Sequence, residues 1–200
     1  MQTVLDQFRA SIQRVRDFHA LYVYFGDATA PILDLSDLLR AQIVLCVSAL
    51  DYYVHELTRL GMVEIIEGGR PTTPAFLSFR VTIESVMSGM QPDGTSSWLD
   101  AEVRARHGVL SFQQADKIAD AIRLISTVKL WDEVGDRFNR PSKDVKNHLQ
   151  LIVQRRNKIA HEADIKPGFP GERWPITPAD VLDATDFVES LCETIHMIVV

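Results

Sequence analysis

The sequence predicts an all-α protein, a bundle of long helices supplemented by shorter ones. Three observations predict it. Apolar residues recur at steps of three and four along most of the chain, no stretch sustains the period-two alternation of a half-buried strand, and proline and glycine gather in a few short segments between the helical ones. From Thr3 to Tyr24 the apolar positions Val4, Phe8, Ile12, Val15, Phe18, Leu21 and Tyr22 draw one face of a first long helix. After Pro31, Asp34 and Ser36 offer N-caps. A second pattern then runs through Leu38, Leu39, Ile43, Val44, Val47, Leu50, Val54 and Leu57 and ends at Gly68 and Gly69. Its middle is apolar nearly all round, so it is expected to be the central, most buried helix.

Pro71 and Pro74 close a turn, after which Phe76 to Met87 reads as a third helix ended by a loop from Gly89 to Ser97. Shorter helices are expected over Trp98 to Arg106, Gln113 to Ile125 and Leu130 to Phe138. Pro141, followed by Ser142, Lys143 and Asp144, opens a helix that is expected to run from about 143 to 164. Lys166 to Pro178 holds too many prolines and glycines for a regular element and reads as a structured loop. Thr177 or Asp180 then starts a last helix with Val181, Leu182, Phe187, Leu191, Ile195 and Ile198 along one side. This pattern stops at Val200 without a polar tail, so either the last turn packs in the core or the natural chain continues.

The 200 residues are expected to form a single domain, residues 1–200, since a chain of this length buries roughly 70% of its unfolded surface without needing staples. With 21 Lys+Arg against 27 Asp+Glu the net charge is −6, which argues against a protein that coats nucleic acid or anionic membrane with its whole surface. Any nucleic-acid contact must be local. Cys46 and Cys192 sit inside apolar helical patterns as core residues, and the opening MQTVLDQFRA lacks a basic segment followed by an apolar run. The longest nearly apolar stretch, Ala41 to Leu50, is about half of the ~20 residues that a membrane span requires. A cytoplasmic protein with no membrane partner is expected.

There is no glycine-rich phosphate loop, paired-cysteine knuckle, His-Glu-x-x-His or Gly-x-Ser-x-Gly, and His19, His107, His148 and His196 have no metal-ligand spacing; no metal and no cofactor is assigned. What stands out is RRNKIAHE, Arg155 to Glu162. Val145, Leu149, Ile152, Arg156 and Ile159 follow at steps of four, three, four and three, so Arg156 sits in the apolar stripe of its own helix. A guanidinium there needs a carboxylate or phosphate partner, or a place at a cleft or interface. Asp51, equally out of place after the apolar run of the second helix, is the internal candidate, with His55 one turn on. Between Lys143 and Lys158 five cations, Lys143, Lys146, Arg155, Arg156 and Lys158, stand against the single Asp144, a local balance of 5 − 1 = +4 that can receive a polyanion.

His161 supplies an imidazole, a side chain suited to both accepting and donating a proton. Cleaving RNA without a metal requires a base for the 2′-hydroxyl, an acid for the leaving 5′-oxygen and a cation on the nonbridging oxygens; an arginine and a histidine supply two of these. Asn157 can bond a phosphate or hold His161 in one tautomer. On an ideal helix, however, Arg156 and His161 stand about 140° apart around the axis. The helix must loosen, the arginine must reach around, or a second copy must supply the partner across a two-fold axis. The last is preferred. The tryptophans Trp98, Trp131 and Trp174 are expected to anchor short elements, although Arg173 and Trp174 could also stack an RNA base.

With these residues in view, the sequence resembles the HEPN superfamily, all-helical domains marked by Arg, a polar residue, three to five further residues and His. Arg156-Asn157-Lys158-Ile159-Ala160-His161 fits with four residues between the ends. RAQIVLCVSALDYYVHELTRLGM, Arg40 to Met62, and RRNKIAHEAD look like two helices of the bacterial RiboL-PSP-HEPN branch. The resemblance implies a HEPN-type helical bundle that dimerises through its motif helices. It implies further a composite, metal-independent endoribonuclease site that leaves 2′,3′-cyclic phosphate and serves as a toxin or antiviral-defence effector. On this reading Arg156, His161 and Asn157 are catalytic, Arg155 and Lys158 bind substrate, and Asp51 and His55 support them. An antitoxin or regulatory protein is a further expected partner. HEPN toxins controlled by a nucleotidyltransferase antitoxin carry a tyrosine two residues beyond the histidine; this chain has Ala163, so that mode of control is not expected. Two other readings stand beside the enzyme: a catalytically inactive HEPN module for RNA or protein binding, and a helical scaffold in which Arg156 is only a structural contact.

Overall fold

The computed structural model describes residues 1–28, 33–91, 95–169 and 171–200. Pro31, residues 92–94 of the loop after Gly89, and Pro170 of the proline-rich loop lie outside the described residues. Nine helices form among the described residues: α1 (Gln2–Ala28), α2 (Ser36–Ile66), α3 (Pro74–Leu77), α4 (Ile83–Gly89), α5 (Ser97–His107), α6 (Ala115–Arg123), α7 (Leu130–Phe138), α8 (Ser142–Glu162) and α9 (Pro178–Val199). No strand is present among them; a lone antiparallel bridge joins Ile165 to Arg173.

The apolar girdle of α2 makes it the axis of the bundle. It packs against α1, α5, α6, α8 and α9, and Val47, Leu50, Tyr53, Val54 and Leu57 are wholly buried. At Gly61 α2 comes so close to Ile125 that an added Cβ would lie 2.6 Å from the Ile125 side chain, which only glycine allows. Cys46 and Cys192 lie in this core, and burial pushes the Cys46 thiol up to about 12, so both behave as small apolar side chains. The last helix starts as its sequence suggests. Thr177 accepts from the Asp180 amide while Asp180 accepts from the Thr177 amide, a reciprocal capping box with Pro178 in the first turn.

The expected third helix is two helices instead of one. The chain leaves helical geometry after Leu77 and restarts at Ile83, because Thr82 caps the new start through the Ser85 amide and Glu102 of α5 accepts from the Thr82 amide at 3.0 Å and the Ser85 hydroxyl at 2.6 Å. A partner from a later helix decides this break. At the start of α2 neither expected cap acts on the first turn as such. Leu35 occupies the cap position without a side-chain bond, and Asp34 accepts from the Ser36 amide at 2.9 Å. α8 begins at Ser142 and ends at Glu162, two residues short of the expected Asp164.

That end is held by a buried charge. Ala163 and Asp164 both take left-handed backbone (φ 50° and 60°), the Asp164 amide turning back to the Lys158 carbonyl at 3.0 Å. Left-handed geometry costs a non-glycine residue on the order of 1–2 kcal/mol, and the side chain of Asp164 makes it worthwhile. Wholly buried, its Oδ2 accepts from Arg40 Nε at 2.7 Å and Arg155 Nη2 at 2.8 Å. Arg40 also donates to the Trp174 carbonyl and Arg155 to that of Pro175, while the Trp174 amide donates to the Asp164 carbonyl. Arg173 pairs with Asp34 and Asp37. One carboxylate thus fastens the start of α2, the end of α8 and the loop before α9 to each other. Replacing it with alanine leaves two guanidinium groups facing each other in the interior; Asp164→Ala is expected to lower stability by about 3–5 kcal/mol in urea denaturation, against about 1 kcal/mol for Thr177→Ala at the exposed cap.

Candidate functional site

α8 is helical because its apolar positions align and its first turn carries Asp144 behind Pro141, a favourable charge at the positive end of the helix dipole. Val145, Leu149, Ile152 and Val153 are buried against the bundle and Ile159 is partly so. Arg156 continues that inward row. Its side chain is half-buried, Nη1 donates to Asn157 Oδ1 at 2.9 Å, and Nε is sealed from solvent without an acceptor.

The expected pairing with Asp51 does not form. Asp51 Oδ1 accepts from the Phe112 amide at 2.6 Å and Oδ2 from Gln113 Nε2 at 3.1 Å, so its charge is spent on the segment ahead of α6. Arg40 and Arg155 share Asp164, whereas Arg156 makes no ion pair among the described residues. Arg156 is thus a guanidinium with one buried, unsatisfied N–H and no carboxylate partner among the described residues.

The other motif residues divide in the same way between structural work and freedom. Arg155, expected to bind substrate, is engaged with Asp164 and the carbonyls of Trp174 and Pro175. Lys158 lies over the Trp174 ring, its Nζ 4.9 Å from the centroid, so that face of the tryptophan carries a cation. His161 is exposed on the last turn of α8. Each of the other five histidines has a partner. His19 meets Gln42, His55 lies 3.8 Å from Asp51, His107 packs between rings, His148 bonds Asp183 at 2.9 Å, and His196 bonds Tyr53 at 3.2 Å. Among the described residues His161 alone of the six makes no hydrogen bond, ion pair or ring contact, which leaves both ring nitrogens free for proton transfer. α8 remains regular through Glu162, so the loosening that could bring Arg156 and His161 together within one chain does not occur.

Asp51 and His55 belong to a different group. With His107, Glu56, Arg59 and Arg104 they line a groove of about 360 Å³, and no hydrogen bond or ion pair links them to Arg156 or His161. Among the described residues no cluster of three or more His, Cys, Asp or Glu side chains is placed to hold a metal ion, and no helix is long and apolar enough to cross a membrane.

The order of these elements, a central apolar helix followed by a motif helix bearing Arg156, Asn157 and His161, can be compared with known families. A family model described as RiboL-PSP-HEPN matches residues 9–200. The chain belongs to the RiboL-PSP-HEPN family. No curated protein and no solved structure matches it. Membership in this family of HEPN-type domains agrees with the all-helical fold and extends the likeness from two segments to nearly the whole chain. Two residues of this HEPN domain that the motif alone did not single out are Asp164 and Arg40. The available signal was an acid directly after the motif and a basic residue at the head of an apolar helix, two misplaced charges that answer each other.

His107 carries a pH signature of its own. Burial first, and the neighbouring His55 second, push it down to about 4, and its Nδ1 has no acceptor. It is therefore neutral in the fold at pH 7. The unfolded chain binds a proton near pH 6.5 that the folded one refuses until about 4, so its contribution is full above 6.5 and is lost as pH falls through that window. Denaturation midpoints measured across the window are expected to fall with pH, and His107→Phe is expected to flatten that decline.

Proposed function

We propose that this HEPN domain is a metal-independent endoribonuclease that works as a homodimer, with Arg156 and His161 as its catalytic residues and Asn157 positioning Arg156. The observation that carries this reading is the pairing of opposites on one helix: among the described residues an arginine with no carboxylate partner and a sealed, unsatisfied Nε, and five residues on, the one histidine without a hydrogen bond, ion pair or ring contact. A half-buried cation without an internal counterion favours an external anion. A phosphodiester supplies one.

The steps follow from the chemistry of the groups. One His161 takes the 2′-hydroxyl proton as the 2′-oxygen attacks phosphorus, the bond to the 5′-oxygen breaks, and that oxygen leaves with a proton from the His161 of the second subunit. The products are a 2′,3′-cyclic phosphate and a 5′-hydroxyl. Arg156 holds the nonbridging oxygens, where charge grows as the pentacoordinate state forms. The two-fold arrangement is favoured because the regular α8 keeps Arg156 and His161 about 140° apart. Apposed motif helices bring the arginine of one subunit to the histidine of the other. Lys158 and the local excess of five cations over one acid between Lys143 and Lys158 draw RNA to this helix although the whole chain is acidic. Cutting RNA without a cofactor at a buried dimer site fits a toxin or antiviral-defence effector under the control of a regulatory protein.

The same 140° separation also favours a second reading, an inert HEPN module that binds RNA or protein and never closes the site. Cleavage of single-stranded RNA in chelator separates the two. Wild type is expected to leave cyclic phosphate ends, His161→Ala to lose at least about a hundredfold in rate and Arg156→Ala about a hundred- to a thousandfold, both with unchanged helix content. Because the His161 of both subunits acts at one phosphate, a mixed dimer with a single His161 is expected to be impaired, so an excess of His161→Ala chain added to wild type is expected to suppress cleavage. Intact RNA with wild type would leave the inert module as the reading.

A further inference from the structure

α8 carries a second row that neither the core nor the motif explains. Lys143, Asn147, Gln150, Gln154, Asn157 and His161 follow one another at steps of four, three, four, three and four, which places them on a single face over about 27 Å of helix axis. The fold opens this face. Between α8 and the start of α6 lies a groove of about 400 Å³, lined on the α8 side by Lys143, Lys146, Asn147, Gln150, Gln154 and Asn157. Gln114, Ala115 and Asp116 form its other wall, and Asp116 is its one acid.

The lining is rich in amides without an acid bonded to them. On α1, by contrast, Gln2 is tied to Asp6 and Gln13 to Asp17. The side chains of Gln114, Asn147, Gln150, Gln154, Lys143 and Lys146 make no hydrogen bond or ion pair among the described residues. Apart from Ala115 and Val153 the groove offers no apolar anchor of the kind that holds a protein partner. A row of carboxamides presents donors and acceptors without charge, which matches the edges of unpaired bases, and two lysines beyond them match phosphates.

We infer that this groove is a subsite for the unpaired RNA bases that flank the cleaved phosphate. Gln150 and Gln154 contact base edges, and Lys143 and Lys146 hold the backbone at the far end. The inference rests on the ribonuclease reading for its substrate class, and it gives that site a direction: the strand enters at Lys143 and reaches His161 along one face. It also assigns the choice of sequence to residues outside the Arg156 and His161 pair. Carboxamides that contact base edges discriminate between bases, whereas the catalytic groups touch only sugar and phosphate, which every nucleotide shares.

The test uses the full chain carrying His161→Ala, so that bound RNA stays intact, with short single-stranded oligo(A), oligo(C) and oligo(U) as probes and fluorescence anisotropy at two salt concentrations. Affinities for the three are expected to differ by about tenfold or more between best and worst. Adding Gln150→Ala with Gln154→Ala is expected to erase that ratio. Adding Lys143→Ala with Lys146→Ala is expected to weaken all three alike and to reduce the salt dependence by about two phosphate contacts. Circular dichroism of each variant checks that the helices persist. A preference that survives loss of both glutamines overturns the subsite, and if wild type still cuts RNA in chelator the ribonuclease reading stands without it. Amide-dependent preference in a chain that never cuts keeps the subsite and removes the enzyme. Failure to bind any of the three at low salt overturns both.

Discussion

Everything that gives the motif helix a fixed end depends on one buried carboxylate. Asp164 accepts two guanidinium groups on a single oxygen while its other oxygen, Oδ1, is buried without a partner. Two cations meet one acid here, and the excess positive charge is eased by Asp37, 3.6 Å from Arg40 Nη1, and by the partial exposure of Arg155. The arrangement is tolerable because Arg40 and Arg155 spread that charge onto the carbonyls of Trp174 and Pro175. The acid therefore specifies more than it stabilises: with Asp164 in place, the left-handed residues Ala163 and Asp164, the hairpin-like loop from Ile165 to Arg173 and the start of α2 have one common geometry. The loop is held from its other side too, by Arg173 on Asp34 and Asp37.

This clamp decides which arginine is free. Arg155 and Arg156 are neighbours in sequence and chemically identical, yet they point about 100° apart around α8. Arg155 meets the returning loop and is satisfied there. Arg156 turns toward the bundle, where Asp51 has already given both oxygens to the segment of Phe112 and Gln113. The distinction between an ion-paired arginine and one without a carboxylate is thus made by the supply of carboxylates.

Much of the fold was legible because it rests on periodicity. α1, α2, α7 and α9 lie close to where their apolar steps placed them, and the absence of alternation correctly foretold a bundle. What local pattern could not reveal was every feature decided by a distant partner. Phe76 to Met87 has acceptable helical spacing throughout, and only Glu102 of a later helix turns Thr82 into a new start. The motif residues were visible as residue types at a spacing, and Arg156 was visible as a charge in an apolar row. The counterion expected for it, Asp51, is held by Phe112 and Gln113 instead, and the acid that does bind arginines, Asp164, takes Arg40 and Arg155 and looked like the ordinary last residue of a helix. Trp174, equally, could have been a stacking platform, but Lys158 covers one of its faces.

The spacing within the motif then has a geometric meaning that the two rows of α8 make plain. Val145, Leu149, Ile152, Arg156 and Ile159 form the inward row, and Lys143, Asn147, Gln150, Gln154, Asn157 and His161 form the outward one. A separation of three or four would have put arginine and histidine on the same row, where either both are buried or both are washed by solvent. A separation of five puts one on each. The arginine gains a desolvated setting, in which its charge acts strongly on a phosphate, and the histidine keeps the exposure that lets it exchange protons. That division cannot be made on one row of one helix. Its cost is that a single copy of α8 cannot aim both groups at one phosphorus, which is the physical reason for reading the site as shared between two subunits.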